Sequence, residues 1–142
     1  MTPKELMQSA IQHGACMKSG KATGWKSLSW LLFSPQGREF CESEAFPSID
    51  DWREIAKSAD MTELPIYVDA GRMEIANVGK TAAIGGTIVE ASYSGTDRLY
   101  KLILMHGAQA HVRASNYAVV MVVTIGDGCK VDFDNDKTAK II

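Results

Sequence analysis

The chain has 142 residues, 46% of them apolar, and a formal charge of −2. That length allows one domain or a small domain with an extension, and that apolar fraction is enough for a buried core. The near-neutral charge argues against a general nucleic-acid binder, whose affinity would come from phosphate neutralisation. The charge is unevenly spread: residues 1–39 are basic, residues 40–65 acidic, and residues 66–142 balanced. A basic start beside an acidic middle fits self-pairing. The three cysteines, Cys16, Cys41 and Cys129, are odd in number and widely spaced, which argues against a disulfide framework or a zinc site. No apolar run reaches membrane-spanning length, and Lys4, Glu5, Gln8 and Gln12 interrupt any signal-peptide core, so a cytoplasmic protein with no membrane contact is expected.

The first sixty residues read as three or four short helices. Thr2 can cap, Pro3 suits the first helical position, Glu5 completes a capping box, and Gly14 stops the helix after Leu6, Met7, Ala10 and Ile11 have formed one face. Residues 17–24 form a polar, glycine-containing loop. A second helix is expected over about residues 25–33, a third after Ser34-Pro35, and a fourth after Pro47-Ser48, with Asp50 and Asp51 in its first turn and Trp52, Ile55 and Ala56 as its apolar stripe. Such short helices are not stable alone and must pack on something. Trp25, Trp30 and Trp52 lie on apolar faces and read as core.

From Pro65 the apolar period changes to two. A 21-residue line recurs as 66–86, 87–107 and 108–128, and begins again at Cys129; the first three lines end in Gly86, Gly107 and Gly128. A fixed period near twenty suggests stacked two-strand or three-strand coils. Stacking puts residue i beside i+21 at about 4.8 Å, the ordinary strand spacing. The inward columns are then Val68/Val89/Ala110/Val131 and Ala70/Ala91/Val112/Phe133. The outward columns are Tyr67/Ile88/Gln109/Lys130, Asp69/Glu90/His111/Asp132 and Gly71/Ser92/Arg113/Asp134. Residues 99–105 and 117–125 are almost continuously apolar, as in strands covered on both faces. The expected fold is therefore α+β, with a helical segment (1–65) packed on a β-solenoid of about four coils (66–142). The alternative is an antiparallel β-sandwich.

Candidate chemistry is sparse. In the column Asp69, Glu90, His111, Asp132 an imidazole would lie between two carboxylates, with Arg113 nearby. This could serve acid–base work or a metal, but it equally describes a charge-compensated ladder on a solvated face. His106 would fall beside Asp127, yet no Ser or Cys is placed with them as a nucleophile. Cys129 falls on an inward column with Ala108 and Thr87 and reads as a small core residue, and His13 stands where a helix end exposes free carbonyls. The run 132–136 (DFDND) lacks the glycine and terminal Glu of a calcium loop, and Gly79-Lys80-Thr81 lacks the upstream glycine of a phosphate loop.

The segments 31–41 (LLFSPQGREFC), 67–71 (YVDAG), 102–108 (LILMHGA) and 117–120 (YAVV) resemble a small family of uncharacterised proteins from gut anaerobic bacteria. That resemblance covers about residues 30–142. It implies a helical start and a strand-rich repetitive end, and an association with mobile elements or prophages; it implies no catalytic residue, substrate or cofactor. The expectation is a non-enzymatic structural or protein-interaction module, self-associating or holding a partner protein, with no cofactor, no metal and no catalytic residue. The alternative is a carbohydrate-binding or hydrolytic site on the outward face, using Asp69, Glu90, His111, Arg113 and Asp132. A third option, nucleic-acid contact through Lys18, Lys21 and Lys26, is the least expected.

Overall fold

The computed structural model describes residues 2–14 and 24–142. They form two compact units, Met1–Leu64 and Pro65–Ile142. The first is helical, with α1 (Pro3–Gln12), α2 (Trp25–Leu32), α3 (Pro35–Glu44) and α4 (Ile49–Ser58). Thr2, Ser34 and Ser48 act as the expected caps, but α1 has the Thr2 cap without a reciprocal capping box from Glu5. The Thr2 hydroxyl accepts the Glu5 N–H, Ser34 accepts that of Gly37, and Ser48 accepts that of Asp51 while the Asp51 carboxylate accepts the Ser48 N–H. The polar loop assigned to residues 17–24, with Lys18 and Lys21, lies outside the described residues apart from Gly24, as does Cys16.

The helical core is aromatic. Trp52 is 0% exposed and stacks on Phe33 at a centroid distance of 5.6 Å, while Trp30 packs edge-on against Phe33 and donates its indole N–H to the Leu64 carbonyl. Cys41 is buried on α3, and burial pushes its thiol up to about 12, so it is an inert core group. The α2–α3 junction is tight because position 37 is glycine: a Cβ there would collide with the carbonyl oxygens of Leu31 and Leu32.

The second unit is all β. Strands β1 (Ile66–Val68), β3 (Lys80–Ile84), β5 (Leu99–Met105), β7 (Val119–Ile125) and β9 (Lys140–Ile141) form one sheet in that order. Strands β2 (Gly71–Ala76), β4 (Thr87–Ser94), β6 (Gln109–Ser115) and β8 (Lys130–Asn135) form the other. Every pairing is parallel, which rules out the antiparallel alternative. The chain thus alternates between sheets at each strand.

The inward faces meet in one core. Val89, Ala91 and Tyr93 of β4 and Ala110, Val112 and Ala114 of β6 join Ala83 of β3, Tyr100, Leu102 and Leu104 of β5 and Val120 of β7. Tyr93 and Tyr100 touch across the two sheets at 4.9 Å. As the apolar run predicts, β5 is covered on both faces, since Ile103 and Met105 are buried as well as Leu102 and Leu104. In β7 the outward Val119, Met121 and Val123 are only half-buried.

The 21-residue step holds where the pattern is clearest: Val89 pairs Ala110 and then Val131, and Ala91 pairs Val112 and then Phe133. It fails at the first repeat. There Gly71 pairs Thr87 and Ile66 pairs Ala82, a step of sixteen. Met73 and Ile75, rather than Val68 and Ala70, are the first inward pair of this sheet, and Val68 pairs Ile84 in the other sheet. The shortening lies between β2 and β3: Lys80 follows Ala76 by four residues, whereas their partners Lys101 and Ser92 are nine apart, while the corners after β1 (69–70) and β3 (85–86) are equal in length. Between β5 and β7 the step is twenty, Leu99 to Val119, because the preceding corner shortens from residues 95–98 to 116–118.

The corners are held by side chains that replace missing backbone partners. Asp69 takes φ 50° and its carboxylate accepts the Gly86 N–H at 2.7 Å. The buried Thr87 hydroxyl accepts the Ala70 N–H (3.1 Å) and donates to the carbonyl of Ile84 (3.0 Å) or Tyr67 (3.2 Å). Asn77, at φ 54°, accepts the Ser94 N–H.

Two stability predictions follow from this packing. Gly37→Ala should cost about 1–3 kcal/mol through overpacking of the α2–α3 junction. All three tryptophans are in the helical unit, so tryptophan fluorescence in urea reads that loss directly. Thr87→Val, which keeps the volume but strands the Ala70 N–H, should cost about 1–3 kcal/mol, seen as a lower urea midpoint of the far-UV strand signal; Thr87→Ser should recover most of it.

Candidate functional site

The outward face of the four-stranded sheet carries a dense set of chemically capable side chains. Its composition follows from strand alternation: in β4 the odd-numbered residues point inward and in β6 the even-numbered ones, and the residues between them face out. Three outward rows result. Arg72, Ile88, Gln109 and Lys130 form the first; Glu74, Glu90, His111 and Asp132 the second; Ala76, Ser92, Arg113 and Asp134 the third.

Of the expected candidates, Glu90, His111 and Asp132 do stand on neighbouring parallel strands, with His111 between the two acids, and Arg113 lies two residues along β6. Asp69 does not join them. It sits in the β1–β2 corner bonded to Gly86, and Glu74 takes its place beside Glu90. Glu74 was findable from the Arg72-Met73-Glu74-Ile75 alternation, but Val68 and Ala70 satisfied the same apolar template with no shift in spacing. His111 and Glu90 are half-buried, whereas Asp132 and Arg113 are exposed.

Two shallow depressions lie on this face. One, of about 550 Å³, is lined by Arg72, Glu74, Glu90, Ser92 and Arg113 among others. The other, of about 370 Å³, lies over Asn77, Ser92, Ser94, Arg113, Ser115 and Asp134. They share Ser92 and Arg113 because Ala76 and Ser92 are the small members of the third row. Among the described residues no group of three His, Cys, Asp or Glu side chains is placed to hold a metal ion. The arrangement is a mixed-charge ladder. Opposite charges across strands contribute a few tenths of a kcal/mol each, and adjacent acids such as Glu74 and Glu90 oppose one another.

The remaining candidates are structural. His106 takes φ 56° at the end of β5. Since Met105 pairs Ile125, the residue level with His106 is Gly126, and Asp127 lies one further along a longer corner. Cys129 is half-buried against the core and burial raises its thiol. His13 donates from Nδ1 to the Ser9 carbonyl, 2.9 Å away, and packs on Phe46. Asp132 and Asp134 lie in β8 rather than in a metal-binding loop, and Lys80 and Thr81 begin β3, not a helix. Among the described residues no helix is long and apolar enough to cross a membrane.

Asp136, at the rim of the second depression, has a displaced titration. Hydrogen bonds from the Thr138 hydroxyl (2.6 Å) and N–H (2.9 Å), joined by the Asn116 N–H (3.2 Å), hold it below the ordinary carboxylate range. Comparison with known families, curated proteins and solved structures finds no match to the chain.

A depressed folded pKa stabilises the corner above the unfolded value and loses that contribution as pH falls through the folded one. The Asn116 and Thr138 amide resonances should therefore shift together in acid with a midpoint below 3.8, the ordinary value for this group. Asp136→Asn should remove that transition.

Proposed function

We propose that the β unit is a short β-solenoid of nearly four coils that works as a non-enzymatic interaction module and self-associates through its C-terminal coil. Each coil on this reading is one strand from each sheet, and the absence of a preorganised nucleophile–base pair in the outward rows favours binding over catalysis. The observation that carries the proposal is how the inward rows end. Val89 and Ala110 are 0% and 5% exposed, and Ala91 and Val112 are 1% and 0% exposed, but the next member of the second row, Phe133, is 52% exposed. The row of small residues thus finishes on a large aromatic ring in the last strand of its sheet. Val131, Cys129, Ala139 and Ile141 beside it are half-buried against the same core. Apolar surface left at a strand edge favours pairing with another strand.

The saccharide reading of the outward face is the weaker one. Its rows contain no Trp, Tyr or Phe ring for stacking, and both depressions are shallow. Membership of the gut-anaerobe family stays a proposal that rests on the four resembling segments alone.

Sedimentation velocity from about 10 µM to about 1 mM, the range in which small interfaces associate, should show concentration-dependent dimer. Phe133→Ser should shift that association at least about tenfold weaker, as expected for removing a buried aromatic contact, while the far-UV spectrum is unchanged. A chain that stays monomeric throughout overturns the proposal.

A further inference from the structure

We infer that the occupant of the β8 edge is a second copy of β8 running antiparallel about a two-fold axis at Asp132. This rests on the self-association reading and specifies its geometry.

The hydrogen-bonding parity of β8 limits the options. The Lys130 N–H donates to Ala108 and the Asp136 N–H to Ala114, so the even-numbered residues of β8 spend their amides on the β6 side. The odd-numbered residues, Val131, Phe133 and Asn135, therefore point N–H and C=O at the free edge. An antiparallel partner must pair odd with odd in its hydrogen-bonded positions. Three registers satisfy this near the strand centre. Placing Val131 on the axis engages only Lys130–Asp132 within the strand, since Gly128, at φ 87°, has already left it. Placing Phe133 on the axis sets Asp132 against Asp134 twice. Placing Asp132 on the axis engages residues 130–134, sets Val131 opposite Phe133 on the core side in both halves, and sets Lys130 opposite Asp134 on the outward side in both halves. That register extends the core and pairs opposite charges, and its single unfavourable feature is Asp132 facing its own copy.

The same charges oppose an open filament. Continuing the rows head to tail, with Val131 on Met73 and Phe133 on Ile75 of the next copy, would set Lys130 against Arg72 and Asp132 against Glu74. Like charges directly opposite are destabilising. The edge is therefore built to close as a pair rather than to propagate.

Charge reversal and crosslinking test this on the 142-residue chain. K130E should weaken dimerisation about tenfold, since two attractive pairs become repulsive, and K130E with D134K should return it to within about threefold of the original. D132N should tighten the dimer about threefold by removing the facing acids. With Cys16 and Cys129 replaced by Ser, D132C should form an intermolecular disulfide under mild oxidation, because facing non-hydrogen-bonded residues bring Cα atoms to about 4.5 Å, within disulfide reach. V131C and F133C should crosslink poorly. A dimer indifferent to K130E, unrescued by the double swap, or crosslinked best at 131 or 133 overturns this geometry while leaving self-association standing. A monomeric parent chain overturns both.

Discussion

The β unit depends on one repeated constraint: between strands the chain must pass from one sheet to the other in two to four residues. A corner that short cannot be made from right-handed and extended backbone alone. Every corner accordingly holds a residue with positive φ: Asp69, Asn77, Gly85, Gly95, His106, Asn116, Gly126 and Lys137 each appear in turn. Glycine takes that conformation freely, and Asn and Asp do so at modest cost while their side chains bond the adjacent corner. The Asp69–Gly86 and Asn77–Ser94 bonds are of that kind, and positive-φ Asn116 is tied the other way, donating its N–H to the Asp136 carboxylate of the next corner. The corner residue of one repeat is thereby tied to the next, and the parallel registers inherit their alignment from these ties.

Within that frame the inward volume is rationed. Alanine recurs at 83, 91, 110, 114 and 118, and the space those residues leave is filled by Tyr93, Tyr100, Leu102 and Leu104. Interiors pack to crystal-like density, so small and large partners must complement one another across the two sheets. The aromatic Phe133 follows Ala91 and Val112 in this row and stands on β8, an edge strand of the four-stranded sheet. The packing logic of the interior and the chemistry of the edge thus have the same origin.

The helical unit shows the opposite economy. Its elements begin at strong local signals, Thr2-Pro3, Ser34-Pro35 and Ser48, and its interior is closed by a few large rings. Local signals of this sort act over three or four residues, so they are readable without knowing what lies across the core. Glu90, His111, Asp132 and Arg113 were readable for a related reason. Their strands keep a constant 21-residue step and an unbroken alternation, and alternation fixes which side chains share a face. Asp69 falls outside the row because the apolar template has two solutions near residues 68–75, and the short passage from β2 to β3 decides between them.

By itself, then, the sequence determined the change from helix to strand near residue 65, the helix starts, the parallel 21-residue rows of β4, β6 and β8, and the polar character of their outward face. These are set by propensity, capping and periodicity, which are local properties. The tertiary structure alone decided that successive strands alternate between two sheets, that the first step is sixteen residues and one later step twenty, and that Glu74 rather than Asp69 stands beside Glu90. It also decided that Phe133 ends its row exposed. The register steps turn on how many residues the chain uses to cross between sheets, and the exposure of Phe133 on which strand lies at the sheet edge; both are set by backbone geometry and by contacts with neighbouring strands, which no window of the sequence contains.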